Sequence, residues 1–219
     1  MKLSEFCLWA FKLELEMARK FTLFNRCVCA HFERHFVSID TEDVYRVVVK
    51  LCEQDERIGT TEIGSSVIQY YKEFDFEHYG SLALNTKKRF LLDTLYDSLL
   101  SLCDVYGWPK IEFSRAYEKV ILEDFINVYT IKKKFSRNKG LCAELIADHN
   151  ERSFDCYLVV KNSNDKVILN EILFSEQPDE FLFNGRIGDI RWIDKNTITH
   201  VSRDKRELAR FEIKDAIAN

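Results

Sequence analysis

The sequence predicts an α+β protein, with a mainly helical N-terminal part carrying a helical hairpin (1–124) and a C-terminal antiparallel β-meander (125–219) packed against it. Three observations lead there. Apolar residues recur at helical spacing up to about residue 124, and at a period of two beyond it. Only two prolines and seven glycines interrupt the 219 residues. Flexible linkers need such residues or serine-rich runs, so the two parts are expected to form one compact unit.

The opening "SEFCLWAFKLELEMARK" puts Phe6, Trp9, Ala10, Leu13 and Met17 on one helical stripe, while Trp9, Phe11, Leu13, Leu15 and Met17 alternate as in a strand. Its Leu, Glu, Met, Ala and Lys content favours the helix. "TLFNRCVCAHFERHF" reads as a helix capped by Thr22, with Arg26, Cys29 and Glu33 on its outer side. "DTEDVYRVVVKLCEQ" sets Val44, Val47, Val48, Leu51 and Cys52 on one face behind an acidic first turn, although its β-branched content equally suits a strand. "SSVIQYYKEFDF" repeats Val67, Tyr70, Tyr71 and Phe74 at i, i+3, i+4 and i+7 behind a serine cap.

The clearest element is 84–108. Asn85 or Thr86 caps it, Leu91, Leu95, Leu99 and Leu102 repeat at helical spacing, and Gly107 stops it. Pro109 then starts a second helix with Phe113, Tyr117, Val120 and Ile121 on one stripe, completing an antiparallel hairpin. Beyond it, short apolar runs such as "LCAELIA", "SFDCYLVVK" and "KVILNEILF" alternate with turn compositions such as "DHNER" and "NSND".

Composition narrows the function. With 46% hydrophobic residues the chain can bury a substantial core. Its net charge of −4 argues against a dedicated nucleic-acid binder. The front part is the acidic one: residues 1–124 hold 16 Lys+Arg against 21 Asp+Glu, which suits a basic partner. Seven scattered cysteines without a C-x-x-C pair point to a reducing compartment rather than to a disulfide scaffold or zinc ribbon. No secretory signal and no membrane-spanning apolar run is present, so the expected location is the cytoplasm, away from membranes.

Residues 25–36, "NRCVCAHFERHF", hold the densest chemistry. On a helix Cys27, His31 and His35 fall at i, i+4 and i+8, three potential ligands that would need a fourth from elsewhere to complete tetrahedral zinc. The metalloprotease motif H-E-x-x-H fails, because Phe32 stands where the glutamate belongs. A buried face is the favoured reading, with no cofactor expected. "EFDFE" offers Glu73, Asp75 and Glu77 beside Tyr79, a pattern suited to a basic protein with aromatic anchoring. In "KKKF", Lys132 and Lys134 face one way on a strand and Lys133 the other, more a protected sheet edge than a phosphate track.

Two resemblances follow from these residues. Arg26 and His31 stand as R-x-x-x-x-H, which resembles the catalytic motif of HEPN-type ribonucleases. That resemblance implies metal-independent RNA cleavage by Arg26 and His31, although Cys27 replaces a frequent polar residue. On an ideal helix the two side chains also lie about 140° apart. The hairpin "FLLDTLYDSLLSLCDVYGWPKIEFSRAYEKVIL", together with the acidic, aromatic-rich profile, resembles bacterial immunity proteins. That second resemblance, the leading one, implies a non-enzymatic antitoxin that binds a cognate, basic toxin, with Glu73, Asp75, Glu77 and Tyr79 as contact residues.

Overall fold

A computed structural model describes residues 1–137 and 139–213. Among them five helices and thirteen strands alternate in four sheets, a mixed α/β fold. This corrects the expected α+β division into a helical front and a β-meander. The chain divides into two compact units, Met1–Ile126 and a second beginning at Asn127. No described helix is long and apolar enough to cross a membrane.

The first unit opens with β1 (Lys2–Leu3) and β2 (Glu5–Ala10), not with a helix. Lys12 takes a left-handed turn (φ 65°), and α1 (Leu15–His35) begins only at its cap, Glu14. Both expected patterns for this stretch fail because strand and helix share it, and the buried strand residues are Phe6, Leu8 and Ala10. Thr22 is not a cap; its hydroxyl donates to the Ala18 carbonyl inside the helix. Then come β3 (Ile39–Asp40), which pairs with β1, and β4 (Arg46–Cys52), β5 (Thr61–Gly64) and β6 (Val67–Glu73).

β2, β4 and β6 lie parallel, with β5 antiparallel at the edge, in the order β2-β4-β6-β5. Parallel neighbours need a long crossover, and α1 provides it between β2 and β4. Val47, Val49, Leu51 and Ile68 are fully buried. Each such side chain contributes roughly 1.5–3 kcal/mol of burial. The β-branched residues of 44–52 therefore make strand, and their helical spacing was coincidental. The Val67–Phe74 stripe was coincidental too. Ser65 and Ser66 both have positive φ (51° and 63°) and form a two-residue hairpin turn between β5 and β6. That turn ordinarily calls for Asn or Gly, so Ser-Ser gave no warning of it.

Next follow α2 (Phe76–Ser81), α3 (Leu84–Tyr106) and α4 (Lys110–Leu122). The N-cap of α3 is Ala83 rather than Asn85 or Thr86, while Gly107 closes its end at φ 69°. Leu91, Leu95, Leu99 and Leu102 of α3 and Phe113, Ala116 and Val120 of α4 join Phe32 and Val28 of α1 in one core.

The second unit is not a single meander. β7 (Val128–Phe135), β8 (Leu141–His149), β9 (Phe154–Asn162) and β10 (Val167–Glu176) form one antiparallel sheet. After the short α5 (Glu180–Phe183), β11 (Asp189–Trp192), β12 (Thr197–Val201) and β13 (Glu207–Glu212) form another. Gly188 leads into the second sheet against the Val201 carbonyl, where a Cβ would approach to 2.0 Å.

Candidate functional site

Parallel strands in an open α/β sheet leave a crevice beyond their carboxyl ends. In the first unit a cleft of about 830 Å³ opens there, lined by Glu53 just after β4 and by Glu73 at the end of β6. Asp75 and Glu77 continue the wall into α2, and α3 closes the other side with Phe90, Asp93 and Asp97. Tyr70, Tyr71 and Phe74 are the buried aromatic groups lining it, and Lys72 is the one cation among the lining residues. Six carboxylates thus surround an aromatic floor.

The carboxylates are not equivalent. Asp75 caps α2, its Oδ1 accepting the His78 N–H at 2.8 Å. Asp93 is held by Arg89 (2.8 Å) and by the Tyr117 hydroxyl (2.7 Å). Glu53, Glu73, Glu77 and Asp97 are exposed and enter no ion pair among the described residues. Unpaired like charges crowded together repel one another, and a cation entering the cleft would relieve that repulsion.

Three of the four residues singled out from sequence, Glu73, Asp75 and Glu77, line this cleft. The fourth does not. Tyr79 packs into the cluster behind it, 5.4 Å from the Phe21 ring and 5.5 Å from Phe74, where burial pushes its hydroxyl pKa up. Glu53, Asp93 and Asp97 had no sequence signal, because they come from elements 16 or more positions away.

A second cluster joins α1 to the end of α4. His31 and His35, one turn apart, direct Nε2 at Glu123 Oε2 over 2.8 Å and 3.0 Å, and Arg34 reaches the same oxygen at 2.6 Å. Burial lowers the His31 pKa to about 4. Burial would raise that of Glu123, but the hydrogen bonds from His31, His35 and Arg34 outweigh it and hold the carboxyl at about 2. An ionised carboxylate only accepts, so His31 is a neutral imidazole donating through Nε2–H. One ligand atom from each residue, two imidazole nitrogens and a carboxylate oxygen, lies within 4.8 Å of the others, and these three residues could hold a metal ion. Cys27 is not among them; its thiol donates to the Phe24 carbonyl at 3.3 Å.

Arg26 and His31 are not brought together. Arg26 donates to the Phe6 carbonyl at 2.9 Å and pairs with Glu33, whose Oε1 accepts the Phe6 N–H at 2.7 Å. Arg26 and Glu33 thereby clip α1 to β2, while His31 serves α4. Cys29, expected on the outer side of α1, is fully buried. Burial pushes the thiols of Cys29, Cys103 and Cys156 upward, the opposite of what an attacking thiolate needs. In the second unit the lysine run is neutralised. Lys132 and Lys134 pair with Asp189 (3.6 and 2.7 Å), and Lys133 pairs with Glu144 (2.9 Å).

Comparison of the chain with protein-family models, with curated proteins and with solved structures finds no match.

Proposed function

We propose that the protein is a non-enzymatic binding protein whose acidic cleft receives a basic partner. We further propose that this partner is a cognate toxin, which the chain neutralises as its immunity protein. The observation that carries the reading is the set of six carboxylates around the cleft, five of them, all but Asp93, free of ion pairs among the described residues. Charge of one sign concentrated in a concave site raises the encounter rate with the opposite sign. Ile58 and the half-buried Phe90, which also line it, provide apolar surface for the stem of a lysine or arginine.

The test is co-expression with the toxin-like product of the adjacent gene, followed by calorimetry on the purified pair. A stable complex is expected, weakening as salt rises, because surface charge attraction is screened within about 10 Å at 0.1 M. Replacing Glu73→Lys together with Glu77→Lys should weaken it at least about a hundredfold, since like charges now meet. Absence of a complex, or affinity unmoved by the double reversal, would overturn the proposal.

A further inference from the structure

We propose that His31, His35 and Glu123 form a binding site for one zinc-class divalent cation that staples the end of α1 to the end of α4. The geometry carries this. Histidines at i and i+4 of one helix present both imidazoles to a single point, as zinc-binding helices do. Here that point is met by a carboxylate from a second helix. Tetrahedral zinc holds nitrogen at 2.0–2.1 Å and carboxylate oxygen at about 2.0–2.2 Å, which sets its ligands roughly 3.3–3.5 Å apart. His31 and His35 Nε2 stand 2.8 and 3.0 Å from Glu123 Oε2, and the whole set fits within 4.8 Å. Admitting an ion opens the two contacts to Glu123 by about half an ångström and closes the widest pair by at most about 1.5 Å, a range that side-chain torsions cover.

Crowding at Glu123 supplies a second argument. Three nitrogens, from His31, His35 and Arg34, converge on the single oxygen Oε2. A carboxylate oxygen offers about two lone-pair directions, so one donor is in excess. A cation between the imidazoles removes two of these contacts at once, because each Nε2 then gives a lone pair instead of a proton. The Arg34 guanidinium, a quarter exposed, remains on the carboxylate or swings toward solvent. Two imidazoles and one carboxylate match zinc, or cobalt in its place, better than magnesium or calcium, which prefer all-oxygen shells. Three protein ligands leave a tetrahedral ion one position for water.

The test uses the full chain, stripped with chelator and titrated with cobalt(II) and zinc(II). One equivalent of cobalt is expected to give the visible absorption of a tetrahedral nitrogen–oxygen site, without the near-ultraviolet charge-transfer band of thiolate ligands. Free zinc at about a hundredfold over its Kd should raise Tm by roughly 5–10 °C. His35→Gln keeps a side-chain donor for Glu123, sits at the edge of the core, and should abolish both effects with an unchanged far-ultraviolet spectrum. Absence of stoichiometric uptake would overturn the proposal. So would uptake that survives His35→Gln or carries the thiolate band, since the ion would then sit on cysteines.

Discussion

Glu123 and Glu73 are the same chemical group placed under opposite conditions. Glu123 meets three nitrogen donors at the junction of two helices, and its charge is answered within the fold. Glu73 stands exposed in the cleft beside Glu77 with no cation paired to it among the described residues. The contrast teaches how to separate structural charge from charge available for recognition. A carboxylate whose partners are fully supplied by its own chain holds the fold together. One crowded among like charges is a cost to the folded state, which an outside cation offsets.

Removing each group should sharpen that contrast. The largest effect is expected at Glu123. Glu123→Ala leaves the His31 N–H, buried to 1% exposure, without its acceptor, and should destabilise the protein by about 2–4 kcal/mol in urea unfolding. A loss under about 0.5 kcal/mol would mean the cluster holds nothing together.

Acid comes next. In chelator-treated protein the His31 pKa is depressed to about 4 by burial, from the usual 6.5. The unfolded chain therefore binds a proton that the folded chain refuses. Stability from this group is complete above about pH 6.5 and drains away as pH falls toward 4, by on the order of 3 kcal/mol. Glu123, depressed to about 2, adds a further loss between about pH 4.5 and 2. Stability curves that stay flat from pH 7 to 4 would contradict the neutral, buried imidazole.

The smallest effect is expected in the cleft. Neutralising Glu73→Gln, Glu77→Gln and Asp97→Asn together should change stability by no more than about 0.5 kcal/mol, and in the favourable direction, because repulsion is relieved. A clear destabilisation would show that these carboxylates have structural partners and would erase the comparison with Glu123.

Legibility followed the same division between local and distant causes. The hairpin of α3 and α4 could be read because leucines at regular spacing, Gly107 and Pro109 are local signals. The parallel sheet could not. Val47, Val48 and Leu51 fit a helical stripe as well as a strand, and what settles the matter is β2 on one side and β6 on the other. A turn made by Ser65 and Ser66 hid the β5–β6 hairpin, since serine is tolerated there but does not announce it.

The candidate sites divide in the same way. "EFDFE" marked Glu73, Asp75 and Glu77 because acidic and aromatic residues alternate within one short run. Glu53, Asp93 and Asp97 join them only across strand ends and a helix. His31 and His35 stood out by spacing, yet the third group expected beside them was Cys27, and the one found is Glu123, 88 positions beyond His35.

By itself, then, the sequence determined which segments of the α3–α4 hairpin carry apolar stripes, where α3 stops, and which stretch is acidic and aromatic. Each of these is a property of neighbours within a few residues. Tertiary structure alone decided that β-branched segments pair in parallel, that six carboxylates share one cleft, and that a glutamate from α4 closes on two histidines of α1. Those outcomes depend on contacts between distant parts of the chain, and a backbone segment commits to helix or strand only when a neighbour covers its apolar face and completes its hydrogen bonds.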